Sequence, residues 1–121
     1  MTTGTMTTFD TDALYRGIEQ GDVEALIGLY TEDATVEIVD QTAPPTTPHV
    51  LEGAAAIRAF YDDISCRDMH HRLAQVVVDG SGAAFLERCE YPGGPKVVVA
   101  STIELTEGRI SRQVMVQSWD A

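Results

Sequence analysis

Between Asp22 and Val39 the hydrophobic period of the chain changes, and this limits what it can fold into. Val23, Leu26, Ile27 and Tyr30 recur at helical spacing and predict one apolar stripe on a helix from about Val23 to Tyr30. Asp22 stands just ahead of it, where a carboxylate can accept a hydrogen bond from a free N–H of the first turn. Thr31-Glu32-Asp33 ends the stripe. Thr35 to Val39 then alternates at period two with β-branched residues, which predicts a strand. A helix that stops and feeds a strand this quickly must pack beside or across it. The rest of the chain has to cover that corner.

The same rules give the other elements. Phe9 to Gln20 reads as a first helix, with Phe9, Ala13, Leu14 and Ile18 on one face and Gly21 as its stop. Asp40 to His49 carries three prolines and three threonines without periodicity and reads as a loop. Long loops over a rigid scaffold often carry function. His49 to Glu52 reads as a short strand, and Ala54 to Ile64 as a helix burying Ile57, Phe60, Tyr61 and Ile64. Strands are expected over Arg72–Asp79, Ala83–Tyr91, Lys96–Leu105 and Ile110–Trp119. The turns between them are short enough to make them consecutive antiparallel neighbours. The sum is an α+β fold, with three helices on one side of a curved, mostly antiparallel sheet of about six strands.

A chain of 121 residues makes one domain, expected over residues 9–121 after a disordered Thr-rich tail at 1–8. Net charge is −11, from 19 acidic and 8 basic residues, which repels phosphate backbones and anionic membranes. No apolar run approaches the roughly 20 residues of a membrane helix. The first residues lack the basic and apolar regions of an export signal, so a cytoplasmic location is expected. Cys66 and Cys89 read as free, mostly buried thiols. No CxxC, HExxH, Walker or GxGxxG pattern occurs, nor a closely spaced His/Cys set, so no cofactor and no metal are expected.

Three segments carry a family resemblance: Gly21 to Glu37, the Gly-led helix Glu52 to Tyr61, and the hairpin Ile103 to Ile110. Together they resemble a SnoaL-like domain of the nuclear-transport-factor-2-like superfamily, over roughly Asp10 to Asp120. That superfamily includes ketosteroid isomerase, scytalone dehydratase and limonene-epoxide hydrolase. The resemblance implies a cone-shaped sheet closed at one end by the helices around a pocket. It implies homodimerisation through the outer sheet face, where Phe85, Cys89, Val114 and Val116 are expected.

The implied register also nominates pocket residues. On the last strand Ser111, Gln113, Met115, Gln117 and Trp119 would face inward. On Ala83–Tyr91 the inward set would be Ala84, Leu86, Arg88 and Glu90. Arg88 and Glu90 there would serve a ligand or orient a catalytic group, because a desolvated ion pair costs several kcal/mol unless well bonded. His70 and His71 are adjacent, so a strand beginning there points one of them in; the reading leans to His71. Tyr30 and Tyr61 match positions of the isomerase's tyrosine network, whereas its oxyanion tyrosine lands on Leu14, next to Tyr15. Its general-base and protonated aspartates land on Ile38 and Ser101, which disfavours steroid isomerisation by that route. Asp40, on the face of Ile38, is a displaced candidate base.

The expected function is a cofactor-independent enzyme of isomerase, cyclase, dehydratase or hydrolase type, acting by acid–base catalysis on an apolar polyketide- or terpenoid-like compound. Asp40, His71 and Arg88 are the catalytic candidates. Tyr15, Tyr30, Tyr61, His70, Glu90, Ser101, Gln117 and Trp119 are the binding candidates. The alternative is a non-catalytic module that binds a hydrophobic ligand or dimerises.

Overall fold

The computed structural model describes residues 8–120. Helices α1 (Thr11–Gln20), α2 (Val23–Ile27) and α3 (Ala54–Ser65) accompany six strands: β1 (Tyr30–Val39), β2 (His49–Glu52), β3 (His70–Val78), β4 (Gly82–Glu90), β5 (Lys96–Thr106) and β6 (Arg109–Trp119). The strands form one open sheet in the order β2-β1-β6-β5-β4-β3. Only β1 and β6 run parallel; the other neighbours are antiparallel. The expected α+β architecture is present. Residues 1–7 of the expected tail lie outside the described residues.

The corner at Asp22–Val39 forms as two short helices turning into a strand. Asp10 caps α1 by accepting from Ala13 N at 3.0 Å, and Asp22 caps α2 by accepting from Ala25 N at 3.1 Å. Between them Gly21 takes a left-handed φ of 71°, which ends α1 without a linker. Helix α2 stops at Ile27, three residues short of expectation, and Tyr30 opens β1 instead. Tertiary pairing overrides the helical spacing: Ile110 N donates to Leu29 O at 2.7 Å, and Tyr30 pairs with Ile110 of β6. Tyr30, Ala34, Val36 and Ile38 then all point into the core.

The helices cover the inner sheet face, with Leu14 of α1, Ile57 of α3 and Val36 and Ile110 of the sheet fully buried. The contact between α1 and α2 has no slack. A Cβ added at Gly17 would lie 2.2 Å from Leu26 Cγ. Alanine there gains about 1 kcal/mol of helix propensity. Overpacking costs about 1–3 kcal/mol and strikes a buried branched side chain. Gly17→Ala is therefore expected to destabilise, read as a lower urea midpoint with unchanged m.

A bulge in β3 and the parity of β4 decide which of their side chains face the helices. The bulge is at Ala74: His71, Arg72 and Leu73 pair with Cys89, Arg88 and Glu87, but Gln75 pairs with Leu86. Beside it, Leu73 N donates to the Glu19 carboxylate of α1 at 2.9 Å. On β4 the buried side chains are Ala83, Phe85 and Cys89, opposite Ile103, Ser101 and Val97 of β5. The expected β4 register is thus reversed. Phe85, Glu87 and Cys89 face inward, while Arg88 and Glu90 stand on the outer face. Hydrophobic burial explains the outcome, because Phe and Cys gain from desolvation and an Arg–Glu pair does not.

Candidate active site in the interior cavity

Helices, the 40–49 loop and the inner sheet face enclose a cavity of about 560 Å³, the size of a small-molecule site. Ile18, Leu26, Phe60, Ile64, Val97 and Val99 give it an apolar wall. A compact polar group interrupts that wall on β3 and β4.

His71 and Cys89 are direct cross-strand partners, and Glu87 lies two residues from Cys89 on the same face. The three side chains meet. His71 Nδ1 is 2.9 Å from Glu87 Oε2 and 3.2 Å from Cys89 Sγ, and the Cys89 thiol donates to Glu87 Oε2 at 3.1 Å. His71 and Glu87 side chains are 15% and 13% exposed, so the pair is shielded but reachable from the cavity. Burial, then the Glu87 charge and hydrogen bond, push the Cys89 thiol far above its ordinary range. The same ring nitrogen of His71 faces both Glu87 and Cys89. It cannot be held by the acid and also take the thiol proton, so this is not the layout of a cysteine nucleophile.

Behind this wall lies a buried polar chain. Tyr61 and Tyr30 hydroxyls are 2.7 Å apart, Tyr30 O–H donates to Gln113 Oε1, and Gln113 Nε2 donates to Ser101 Oγ at 3.1 Å. An amide oxygen only accepts, so Tyr30 donates its single proton to Gln113 and accepts from Tyr61. Tyr61 thereby offers the cavity a lone pair. A 180° turn of the Gln113 amide reverses the chain and frees the Tyr61 proton to face a substrate oxygen. Burial first, with the Glu87 charge adding to it, raises both phenols above the ordinary tyrosine range, so both are neutral at physiological pH.

Asp40 lines the cavity but its carboxylate serves a turn. It accepts from Thr42 N at 2.7 Å, Thr42 Oγ1 at 2.7 Å and Ala43 N at 2.9 Å. Partial burial pushes its carboxyl up, but these bonds and nearby His49 outweigh that and hold it below the ordinary aspartate range. This makes Asp40 a weak base. At the rim, Trp119 Nε1 donates to Gln117 Oε1 at 3.1 Å, and Tyr91 packs against Trp119 with ring centroids 6.0 Å apart.

The structure thus brings Asp40, Tyr61, His71, Gln117 and Trp119 to the cavity. Tyr30 and Ser101 are buried in the chain behind it. Tyr15 and His70 are exposed and do not line it, and neither do Arg88 and Glu90. Ser111, also expected inward, bonds Glu104 O and Thr106 at the edge of a β5–β6 register shift, and Ile110 is buried in its place. Glu87 and Cys89 are the cavity residues that the implied register misplaced. Their signal was the count of charges on each face of β4, one (Glu87) beside Phe85 and Cys89 against two (Arg88 and Glu90) beside Ala84 and Leu86. Cys66, expected mostly buried, is exposed.

A family model described as a SnoaL-like domain matches residues 11–113. No curated protein sequence matches the chain significantly. Among solved structures, the chain is similar to a Kribbella flavida protein assigned provisionally as a ketosteroid isomerase. The two share 20% identity over 92% of this chain and 75% of that one, with a TM-score of 0.73. It is similar to a nuclear-transport-factor-2-like protein of unknown function from Mesorhizobium loti, at 20% identity, 89% of each chain and a TM-score of 0.75. It is also similar to SalBIII, an epoxide hydrolase/cyclase-like enzyme of pyran ring formation in the polyether salinomycin. That match has 22% identity over 89% of each chain and a TM-score of 0.67. At these identities the likeness is one of fold.

Proposed function

The chain belongs to the SnoaL-like domain family, and from that premise we propose that it is a small-molecule enzyme whose acid–base centre is His71 positioned by Glu87. The carrying observation is the 2.9 Å contact between them on the wall of an apolar cavity of about 560 Å³. Imidazole is the side chain that exchanges protons near neutral pH, and a carboxylate on one ring nitrogen fixes which nitrogen carries the proton. Tyr61, neutral and linked to a reversible chain, answers charge developing on a substrate oxygen. The lining fits an apolar polyketide- or terpenoid-like compound with few oxygens. Proton transfer of this kind serves isomerisation, cyclisation, dehydration or epoxide opening. Arg88 and Asp40 have no part in this reading. A cytoplasmic location belongs to the same proposal, since its reducing conditions suit the free thiols of Cys66 and Cys89.

The test is turnover by chelator-treated protein of three probes: a β,γ-unsaturated cyclic ketone, a terpenoid epoxide and a linear poly-β-ketone. Product should form from at least one, and the activity should survive Arg88→Ala. If none turns over while a hydrophobic dye binds the cavity equally in wild type and His71→Gln, the chain is a carrier and the enzyme reading is abandoned.

The outer face supports a homodimer. Leu86, Ala100, Val116 and Val39 form one row across β4, β5, β6 and β1, with Val116 49% exposed. Phe85 and Cys89 do not belong to it, since both are buried inside. An apolar row on an exposed sheet calls for cover. Val116→Arg is expected to turn a micromolar dimer into a monomer in sedimentation; a wild-type monomer ends this reading.

A further inference from the structure

We propose that His71, Glu87 and Cys89 form a binding site for a zinc-like divalent cation, with an open coordination position toward the cavity. Their donor atoms stand 2.9, 3.2 and 3.1 Å apart, a compact triangle of one nitrogen, one carboxylate oxygen and one sulfur. A tetrahedral ion with bonds of about 2.0–2.3 Å sets its donors roughly 3.3–3.6 Å apart, so each pair needs to part by less than about half an ångström. The donors come from two hydrogen-bonded strands, which hold their spacing better than loops do. Three protein donors facing a cavity leave a fourth position for water or a substrate oxygen, the pattern of an open zinc site. Sulfur and imidazole select zinc or cobalt over magnesium or calcium, which take oxygen ligands.

Charge points the same way. Among the described residues, the shielded Glu87 carboxylate has His71 as its one ionic partner, with no lysine or arginine beside it. A dication held by a thiolate and a carboxylate is neutral overall and removes that imbalance. On binding, the S–H bond of Cys89 breaks, its proton goes to solvent and its electron pair goes to the metal. The Nδ1–H bond of His71 also breaks, the ring passes to its Nε2–H tautomer by exchange with solvent, and the Nδ1 electron pair goes to the metal. The cation site shares its groups with the proposed acid–base centre but does not depend on turnover. The metal-free chain is the acid–base form, and a loaded chain has its His71 Nδ1 occupied.

The experiment is titration of chelator-treated protein with Co²⁺, followed by absorption. One equivalent per chain should bind, with a thiolate-to-cobalt charge-transfer band in the near ultraviolet and visible bands of tetrahedral strength. Zn²⁺ should displace it. Cys89→Ser should abolish the charge-transfer band, and Cys66→Ser should keep it. Glu87→Gln should weaken binding by more than the roughly 10–100-fold that loss of an outer partner costs. Absence of the band in wild type overturns the proposal, as does a band that follows Cys66. Neither result bears on turnover by the metal-free protein, so the two readings fail separately.

Discussion

His71→Gln is expected to lower kcat/KM of metal-free protein about 10²- to 10⁴-fold on whichever probe it turns over, the range that a positioned acid or base contributes. The loss should fall on kcat with KM little changed, because proton transfer is an interaction made in the transition state. Glutamine keeps polarity and much of the volume but exchanges no proton near neutral pH. Glu87→Gln should cost less, since it keeps an acceptor for Nδ1–H while losing the charge and the single orientation. Tyr61→Phe tests the other half of the site; removing one oxyanion donor costs up to about 10²–10³ in kcat. Arg88→Ala is the contrast, because its side chain stands on the far side of the sheet. Steady-state kinetics on purified, folded variants checks all four. A His71→Gln enzyme within about threefold of wild type would remove His71 from the chemistry, being far below the smallest contribution expected of it.

The inward histidine shows why the fold was legible in the sequence and the site only partly so. Periodicity and turn residues gave the elements, because those signals are local. Which of His70 and His71 faces the cavity is not local. Counting back from the β3–β4 turn, Val78 pairs with Ala83 and Gln75 with Leu86. Without the extra residue at Ala74 this register would set His71 against Glu90 on the outer face. The bulge moves it against Cys89 on the inner face. Glu19 of α1, 54 residues away in sequence, bonds the backbone at that bulge, so the decision rests on a tertiary contact. The β4 error differs. There the information was local: Arg88 and Glu90 put two charges on one parity, and Glu87 puts one on the parity of Phe85 and Cys89. A register borrowed from a resemblance outweighed the greater cost of burying two charges. Tyr30 is a third case, a residue completing a helical stripe that a parallel strand partner draws into a sheet.

Gln113→Leu is expected to destabilise the protein by about 2–5 kcal/mol, although the replacement is apolar, similar in size and sits in a core. Gln113 is 1% exposed and links Tyr30 to Ser101 within the buried chain. Leucine strands the Tyr30 hydroxyl proton and removes the donor to Ser101 Oγ, at about 1–3 kcal/mol for each orphan. The decisive variant is the triple Gln113→Leu, Tyr30→Phe, Ser101→Ala. Removing both of Gln113's partners with it should recover most of the loss, because the penalty comes from unpaired groups and not from missing bonds, and the Tyr61 hydroxyl left without Tyr30 lines the cavity, where solvent can reach it. Urea unfolding measures both; a triple variant no better than the single would mean that shape, not polarity, is what Gln113 supplies. The same chain sets an alkaline limit. Tyr30 and Tyr61 are raised above the free-phenol value in the folded state. Their contribution is complete below about pH 10, where the unfolded chain's phenols ionise. It is lost as pH climbs from there toward the folded values, at up to about 1.4 kcal/mol per pH unit for each phenol. Tyr30→Phe should make that decline shallower while lowering stability at neutral pH. An equal slope in the variant would mean that Tyr30 titrates as freely folded as unfolded, which its burial opposes.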